Sequence, residues 1–216
     1  MRKALLAFLF SLSLGLSSVL PLAVSPAQAA EYTLDPTHTQ VRFSWHHFGF
    51  SVPEANFNEV TGTLNVDDED PSTAALSVTI PVKSIDTHVP LLNEHLLTKP
   101  EYFQVEEHPD ITFESKEIRN VSEDGKRFQV VGTLTVNGIA KQVVLNSELN
   151  KKGPHPMYDG APAAGFNATT TLKRSDFGMD AYVPNVSDEM EVRITAEAIA
   201  ADAYAKKLEA RKAQQE

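Results

Sequence analysis

The histidines are the first candidates for a functional site in this chain, because a neutral imidazole can bind a metal ion or a haem iron. His46 and His47 are adjacent, and consecutive residues of a strand point to opposite faces, so these two cannot easily share one ion. The chain has no cysteine ligand and no H-E-x-x-H motif. We therefore expect no metal and no cofactor. A histidine-dependent, metal- or haem-associated periplasmic stress protein is kept as an alternative. The seven histidines are His38, His46, His47, His88, His95, His108 and His155.

Catalytic signals are equally sparse. The sequence contains no G-x-S-x-G motif, no phosphate-binding loop and no cysteine nucleophile. The acidic run from Asp67 to Asp70 lacks EF-hand spacing and is typical of a solvated turn. We expect no catalytic residue and no enzymatic activity. A hydrolase that acts on an amphiphile is kept as a second alternative.

Composition excludes further classes of function. The 216 residues include 19 basic and 29 acidic side chains, which give a formal charge of −10. Nucleic-acid binding is not expected, because neutralising phosphates requires a basic surface. A hydrophobic fraction of 42% argues against intrinsic disorder.

The first thirty residues have the features of a secretory signal peptide. Arg2 and Lys3 precede an apolar stretch, and Ala27-Gln28-Ala29 has the small-x-small form that signal peptidase accepts. Serine and proline residues interrupt the apolar run before it reaches the roughly 20 residues that span a bilayer. We expect residues 1–30 to be removed during export, a periplasmic location in a host with two membranes, and no stable membrane insertion afterwards.

Residues 31–200 are dominated by alternation with a period of two, which predicts strands with one apolar and one polar face. Asn137-Gly138 lies between two such runs and favours a type I′ hairpin turn. The pattern predicts an all-β antiparallel barrel or sandwich, and periodicity does not distinguish the two. The clearest alternating runs are 41–47, 60–66, 76–80, 111–114, 128–136, 166–173 and 189–196.

Two segments depart from this alternation. Residues 90–103 contain leucines at helical spacing, followed by Pro100-Glu101-Tyr102-Phe103, which predicts a short helical insertion with a second helical turn. Residues 201–216 are rich in Ala, Lys and Glu and predict a charged helical tail.

Small residues occur among the large apolar ones at inward positions. Gly62, Gly132, Ala168 and Thr170 are the examples. Small inward residues leave volume for an apolar ligand, but glycines in strands also relieve crowding or mark bulges. If Gly132 faces a cavity, a phenylalanine there should reduce ligand capacity and keep the fold.

Eight short motifs follow one another along the chain. They are Y-T-L-D-P-T-H at 32–38, H-F-G at 47–49, S-I-D-T at 84–87, H-L at 95–96, I-T-F-E-S at 111–115, G-T-L-T-V-N-G at 132–138, R-S-D-F-G at 174–178 and D-E-M at 188–190. In this order they resemble the YceI-like family, and the resemblance covers roughly residues 31–200. One difference is visible: the family often has R-D-x-H-L where this chain has Leu92, Asn93 and then His95-Leu96.

The resemblance implies an eight-stranded, lipocalin-like antiparallel barrel. The barrel is expected to enclose a long-chain lipid, either a polyisoprenoid or another amphiphile such as a fatty-acyl lipid. It implies an exported protein without a defining catalytic activity, and it leaves a homodimer open. It also favours the cavity interpretation of the small inward residues.

The expected ligand contacts are inward strand residues together with the helical insertion. His47 has inward parity, and His95 lies beside Asn93 where a polar group could meet a lipid head. The predicted ligand-binding residues are Phe43, Trp45, His47, Leu64, Val78, Ile80, Leu92, Asn93, His95, Leu96, Phe103, Phe113, Gly132, Leu134, Phe166, Ala168, Thr170, Phe177, Met190 and Val192.

Overall fold

A computed structural model describes residues 29–67 and 70–214, so residues 1–28 of the predicted signal peptide lie outside the described part of the chain. Eleven strands and two α-helices follow one another along the described residues. The strands are β1 (Ala30–Leu34), β2 (Gln40–Ser44), β3 (Glu54–Phe57), β4 (Thr61–Val66), β5 (Ala75–Pro81), β6 (Ile85–Asp86), β7 (Asp110–Arg119), β8 (Arg127–Val136), β9 (Ile139–Pro154), β10 (Pro162–Lys173) and β11 (Glu189–Ala200). The helices are α1 (Pro90–Thr98) and α2 (Ala201–Ala213).

The strands form one closed antiparallel barrel with eight strand positions around its circumference. Three of these positions are each occupied by two consecutive short strands, namely β1 and β2, β3 and β4, and β5 and β6. The barrel closes along β11, whose second half pairs with β1 at Ile199–Thr33 and whose first half pairs with β2 at Val192–Phe43. The predicted eight-stranded antiparallel barrel is confirmed, and the sandwich that periodicity left open is excluded.

The β8–β9 hairpin turns at Asn137-Gly138, as the sequence predicts, with φ angles of 50° and 71°. The Asn137 amide also organises one end of the barrel. Its Nδ2 donates to the carbonyl oxygens of Tyr102 (3.0 Å) and Phe177 (3.2 Å), and its Oδ1 accepts from the Gln104 amide (3.0 Å). A turn residue therefore fixes two segments that cover this end.

Helix α1 covers that same end of the barrel. Leu96 is buried in an aromatic cluster with Phe57, Phe103 and Phe177, and these rings lie beneath the helix. The predicted short helical insertion is confirmed. The predicted second helical turn over residues 100–103 is wrong, because those residues form a hydrogen-bonded turn in which the Tyr102 amide donates to the Lys99 carbonyl.

Helix α2 packs on the outside of the barrel near the other end of β11. The Tyr204 ring stacks on the Tyr158 ring, with centroids 6.4 Å apart, and the Lys207 ammonium lies 4.0 Å from the Tyr158 centroid. The predicted helical tail is confirmed through Ala213, and residues 215–216 lie outside the described part.

A buried carboxylate anchors this outer contact. Asp35 is 1% exposed and accepts hydrogen bonds from the Tyr158 hydroxyl (2.8 Å), the Thr37 amide (2.9 Å) and the Thr37 hydroxyl (2.6 Å). Burial acts to raise the pKa of Asp35, but the bonds from Thr37, Tyr158 and His38 outweigh it and lower the pKa to about 2.

The low pKa of Asp35 predicts a specific dependence of stability on pH. The folded pKa lies below the unfolded value near 4, so the contribution of Asp35 is fully present above pH 4 and is lost as the pH falls through 2. Urea unfolding of the wild type between pH 5 and pH 2 should show about 2 kcal/mol more loss than unfolding of Asp35→Asn. Equal losses in the two proteins would contradict this assignment.

Candidate functional site

The inward face of the barrel is only partly buried. Along β11, Glu191 and Arg193 point outward and are exposed, whereas Met190, Val192 and Ile194 point inward and are half-buried. In a filled core, inward apolar residues would be fully buried. Half-burial at inward positions indicates that these side chains line an open space.

That space is an apolar lumen of about 460 Å³. Phe128 and Val136 of β8 both line it, eight residues apart, so the lumen extends for about 26 Å along this strand. Its covered end is formed by Phe57, Phe103 and Phe177 beneath α1, and residues 71–74 and 121–125 lie at its other end. A narrow apolar space of this length suits an extended hydrocarbon chain.

Most of the predicted ligand-binding residues line the lumen. They come from regular strands or from the covered end, and the alternation of their strands identified their direction correctly. These residues are Phe43, Leu64, Val78, Ile80, Phe103, Phe113, Leu134, Phe166, Ala168, Thr170, Phe177, Met190 and Val192.

Two predicted residues beyond the end of β2 lie away from the lumen wall. Trp45 is buried in the core and stacks on Phe43, with ring centroids 5.8 Å apart. His47 was predicted to point inward and is exposed. Strand β2 ends at Ser44, and Phe48 and Gly49 have positive φ angles of 51° and 75°, so the simple alternation does not extend to His47.

The four predicted residues of α1 are also outside the lumen wall. Leu92 and Leu96 pack against the aromatic cluster from above, and His95 contributes its carbonyl to the end of the helix. Asn93 has a structural role, because its Oδ1 accepts from the Thr87 amide (2.8 Å) and hydroxyl (2.7 Å). The helix therefore covers the lumen without lining it.

Gly132 does not leave space in the lumen. The Phe113 ring lies directly over it, and a Cβ at this position would meet Phe113 ring atoms and would lie 2.6 Å from the Glu114 carbonyl oxygen. Gly132 pairs with Ser115 next to a β-bulge, so it relieves crowding. This crowding argues against the expectation that a phenylalanine at Gly132 would keep the fold.

Gly132→Ala should lower the free energy of unfolding by about 2 kcal/mol, because the Glu114 backbone cannot move away cheaply. Gly165→Ala is the matched control, since its nearest neighbouring atom would be 4.0 Å from the new Cβ. Urea unfolding of both variants tests this difference. An undisturbed Gly132→Ala would show that the barrel wall adapts at this position.

Several residues outside the predicted set also line the lumen, and they lie on the same inward strand faces as its members. Val41, Leu76, Ile111, Val130, Leu172 and Ile194 have the same parity as residues in the predicted set. Val143 and Leu145 of β9 also line the lumen, and the alternation of Val143, Leu145 and Ser147 was the signal that could have found them.

The lumen is poor in groups that could perform acid–base chemistry. Among the described residues, its wall includes no histidine, aspartate or glutamate. Its cations are Lys152, near one end, and Arg174 at the covered end. Across residues 29–67 and 70–214, no three potential metal ligands among His, Asp and Glu come together. His38, His88 and His155 each face a single carboxylate at separate places.

Arg174 is 7% exposed and is held by backbone oxygens of one loop. Its Nε donates to Ser187 (2.9 Å), Nη1 donates to Met179 (2.8 Å), and Nη2 donates to Ala181 (2.6 Å) and Val186 (3.1 Å). Burial lowers the pKa of Arg174, partly offset by the negative charge of Asp188. The guanidinium therefore fixes the segment 179–187 against the covered end of the lumen.

Comparison with known proteins agrees with this architecture. The YceI-like domain profile matches residues 32–198. A UPF0312 protein of Photorhabdus laumondii is 34% identical over 189 residues, which cover 86% of this chain and 95% of that protein. The chain belongs to the YceI-like family.

Solved structures similar to this YceI-like chain share its barrel fold. BcnA of Burkholderia cenocepacia matches with a TM-score of 0.66 and 21% identity, over 76% of this chain and 98% of that one. A polyisoprenoid binding domain from Saccharophagus degradans matches with a TM-score of 0.55 and 14% identity, over 80% and 99%. None of the helices in the described part combines the length and apolar character needed to cross a bilayer.

Proposed function

We propose that this YceI-like chain is an exported protein that holds a long-chain lipid, of polyisoprenoid or fatty-acyl type, inside its barrel. The observation that supports this proposal most strongly is the continuous apolar lumen, which is lined by half-buried side chains. Support comes from the family membership and from the similar fold of a polyisoprenoid binding domain. The leader-like residues 1–30 support export.

The physical chemistry of the lumen favours a hydrocarbon chain as ligand. Each buried CH₂ contributes about 0.8 kcal/mol, so a chain of a dozen or more carbons can offset association costs of several kcal/mol. The strand walls supply few polar partners, so a polar head is better accommodated at an end of the lumen than along its length.

We also propose that the protein binds its lipid without catalysing a reaction. General acid–base chemistry needs titratable groups within reach of the substrate, and the described lumen wall offers no carboxylate and no imidazole. The four hydrogen bonds from Arg174 to backbone oxygens occupy most of its donors. Transport, storage and a role in stress response are all compatible with a binding protein of this kind.

Native mass spectrometry of the protein purified from its own host, followed by solvent extraction, tests the proposal directly. We expect a long-chain lipid in near one-to-one amount with the protein. Protein without bound lipid that also takes up no added polyprenyl or fatty-acyl probe would refute the proposal.

The chain contains its own reporter for uptake. Trp45 is the single tryptophan and stacks on Phe43, which lines the lumen. A conjugated polyene fatty acid that enters the barrel should accept excitation energy from Trp45. Trp45 emission should therefore fall in a saturable way as this probe is added.

A further inference from the structure

One end of the barrel carries exposed apolar side chains on two adjoining segments. The turn between β2 and β3 presents Phe48, Phe50 and Val52, and the loop before β11 presents Tyr182 and Val183. We refer to these five side chains as the apolar tip. Phe50 is 93% exposed and Tyr182 is 62% exposed, and a contiguous group of exposed apolar side chains commonly marks an interaction surface.

The two segments of the apolar tip are joined by backbone hydrogen bonds. The Phe48 amide donates to the Asn185 carbonyl (2.7 Å), and the Ser187 amide donates to the His46 carbonyl (2.9 Å). His47 forms a β-bridge with both Ser51 and Val186. The exposed side chains therefore belong to one continuous surface, because backbone hydrogen bonds hold the two segments together.

The apolar tip is also connected to the lumen. Met179 begins the loop that presents Tyr182 and Val183, and both Met179 and Arg174 line the covered end of the lumen. Arg174 binds backbone oxygens on both sides of Tyr182 and Val183, at Ala181 and Val186. A buried cation thus holds the exposed loop in position next to the lumen.

The five side chains of the apolar tip are uncharged, and the charged residues that flank the two segments, Glu54, Asp180 and Asp188, are all acidic. Residues 46–53 read H-H-F-G-F-S-V-P, and residues 181–187 read A-Y-V-P-N-V-S. Across the whole chain, 22% of residues are charged and the formal charge is −10. The tip side chains themselves offer no ion pair, and the flanking carboxylates and the negative charge of the chain would repel an anionic bilayer.

We propose that the apolar tip is a docking surface for the electrically neutral interface of a lipid bilayer. Aromatic and aliphatic side chains on protruding turns can enter the region between head groups and acyl chains without a preformed pocket. The proposal rests on the proposed function, because a barrel that carries a membrane lipid must exchange that lipid with a bilayer. The apolar tip would then contact the bilayer and place the covered end of the lumen next to it.

Vesicle flotation with neutral phosphatidylcholine vesicles tests the proposal. The protein is recovered from the exported fraction of an expression host, with loss of the leader verified by mass. We expect the wild type to float with the vesicles and Phe50→Ser to lower the partition coefficient by about tenfold, with a larger loss for Phe50→Ser combined with Tyr182→Ser. Raising the salt concentration should not weaken binding, because no ion pair is involved.

Met157→Ser is the matched control. Met157 is 70% exposed, like the tip residues, but it lies beside Tyr158 near the opposite end of β11. It should float as the wild type does. Failure of the wild type to float, or equal flotation of the double tip variant, would overturn the docking surface. A wild-type dimer that Phe50→Ser converts to monomer would also overturn it, since a second copy would then be the occupant.

Uptake of a monomeric polyene fatty acid, followed by Trp45 emission, separates this proposal from the proposed function. Normal uptake by the tip variants together with reduced flotation supports docking. Normal uptake by a wild type that does not float overturns docking and leaves the lipid-binding function standing. Flotation without any uptake refutes the lipid cavity while supporting the membrane contact.

Discussion

Thr170→Phe is expected to weaken binding of a long-chain lipid by about a hundredfold while the barrel stays folded. Thr170 lies in the middle of β10, points into the lumen and is only half-buried there. An aromatic ring at this position would occupy space that several ligand carbons need. Each displaced CH₂ costs about 0.8 kcal/mol, so losing contact with four carbons already lowers the affinity by roughly two orders of magnitude.

The fold should tolerate this substitution because the new ring enters open space. Phenylalanine also has a high strand propensity, and β10 is paired on both sides by β9 and β11. The free energy of unfolding should therefore change little or increase. Fluorescence titration with the polyene fatty acid measures the affinity, and urea unfolding measures the stability.

Thr169→Phe is the matched control for this experiment. Thr169 is the preceding residue, and it is exposed on the outer face of the barrel. The same chemical change at this position should leave lipid affinity within about twofold of the wild type. Equal affinities for the Thr170 and Thr169 variants would place the lipid outside the lumen.

The strands were predictable because each residue carries its own information about direction. In residues 166–173 of β10 and 189–196 of β11, exposed positions alternate with covered ones, so Phe166, Met190 and Val192 could be assigned to the inside. Closure of the barrel was not predictable from alternation. It depends on β11 pairing with both β1 and β2, which are separated from it by most of the chain.

The candidate site was predictable only where the strands are regular. His47 failed because the turn after β2 changes the direction of the backbone, and no periodic signal reports that change. Leu92 and Asn93 failed because a helix that covers a cavity and one that lines it have the same leucine spacing. Gly132 failed because the sequence does not show which neighbour occupies the space above a glycine, here the Phe113 ring.

Arg174→Met should lower the free energy of unfolding by about 2–4 kcal/mol. Methionine replaces much of the side-chain volume but none of the donors, so four backbone oxygens lose their hydrogen bonds at once. The affected oxygens all belong to the segment 179–187. That segment includes the exposed Tyr182 and Val183 and contributes Met179 to the lumen wall.

Lys173→Met separates the loss of hydrogen bonds from the loss of a positive charge. Lys173 is the preceding residue and is exposed, so its replacement should change stability by no more than about 0.5 kcal/mol. Urea unfolding compares the two variants. Hydrogen exchange should show faster exchange in Arg174→Met at the Val183 and Val186 amides, which donate to Asp180 and Tyr182 within the loop.

Asp188 supplies a second, independent signal for the same substitution. Burial acts to raise the pKa of Asp188, but two hydrogen bonds from Ser175 and the charge of Arg174 hold it below its ordinary value. Removing the guanidinium should therefore raise the pKa of Asp188 as measured by NMR titration. A variant that loses stability without this rise would indicate that Arg174 acts through packing alone, and a variant that keeps full stability would show that the loop holds itself against the barrel.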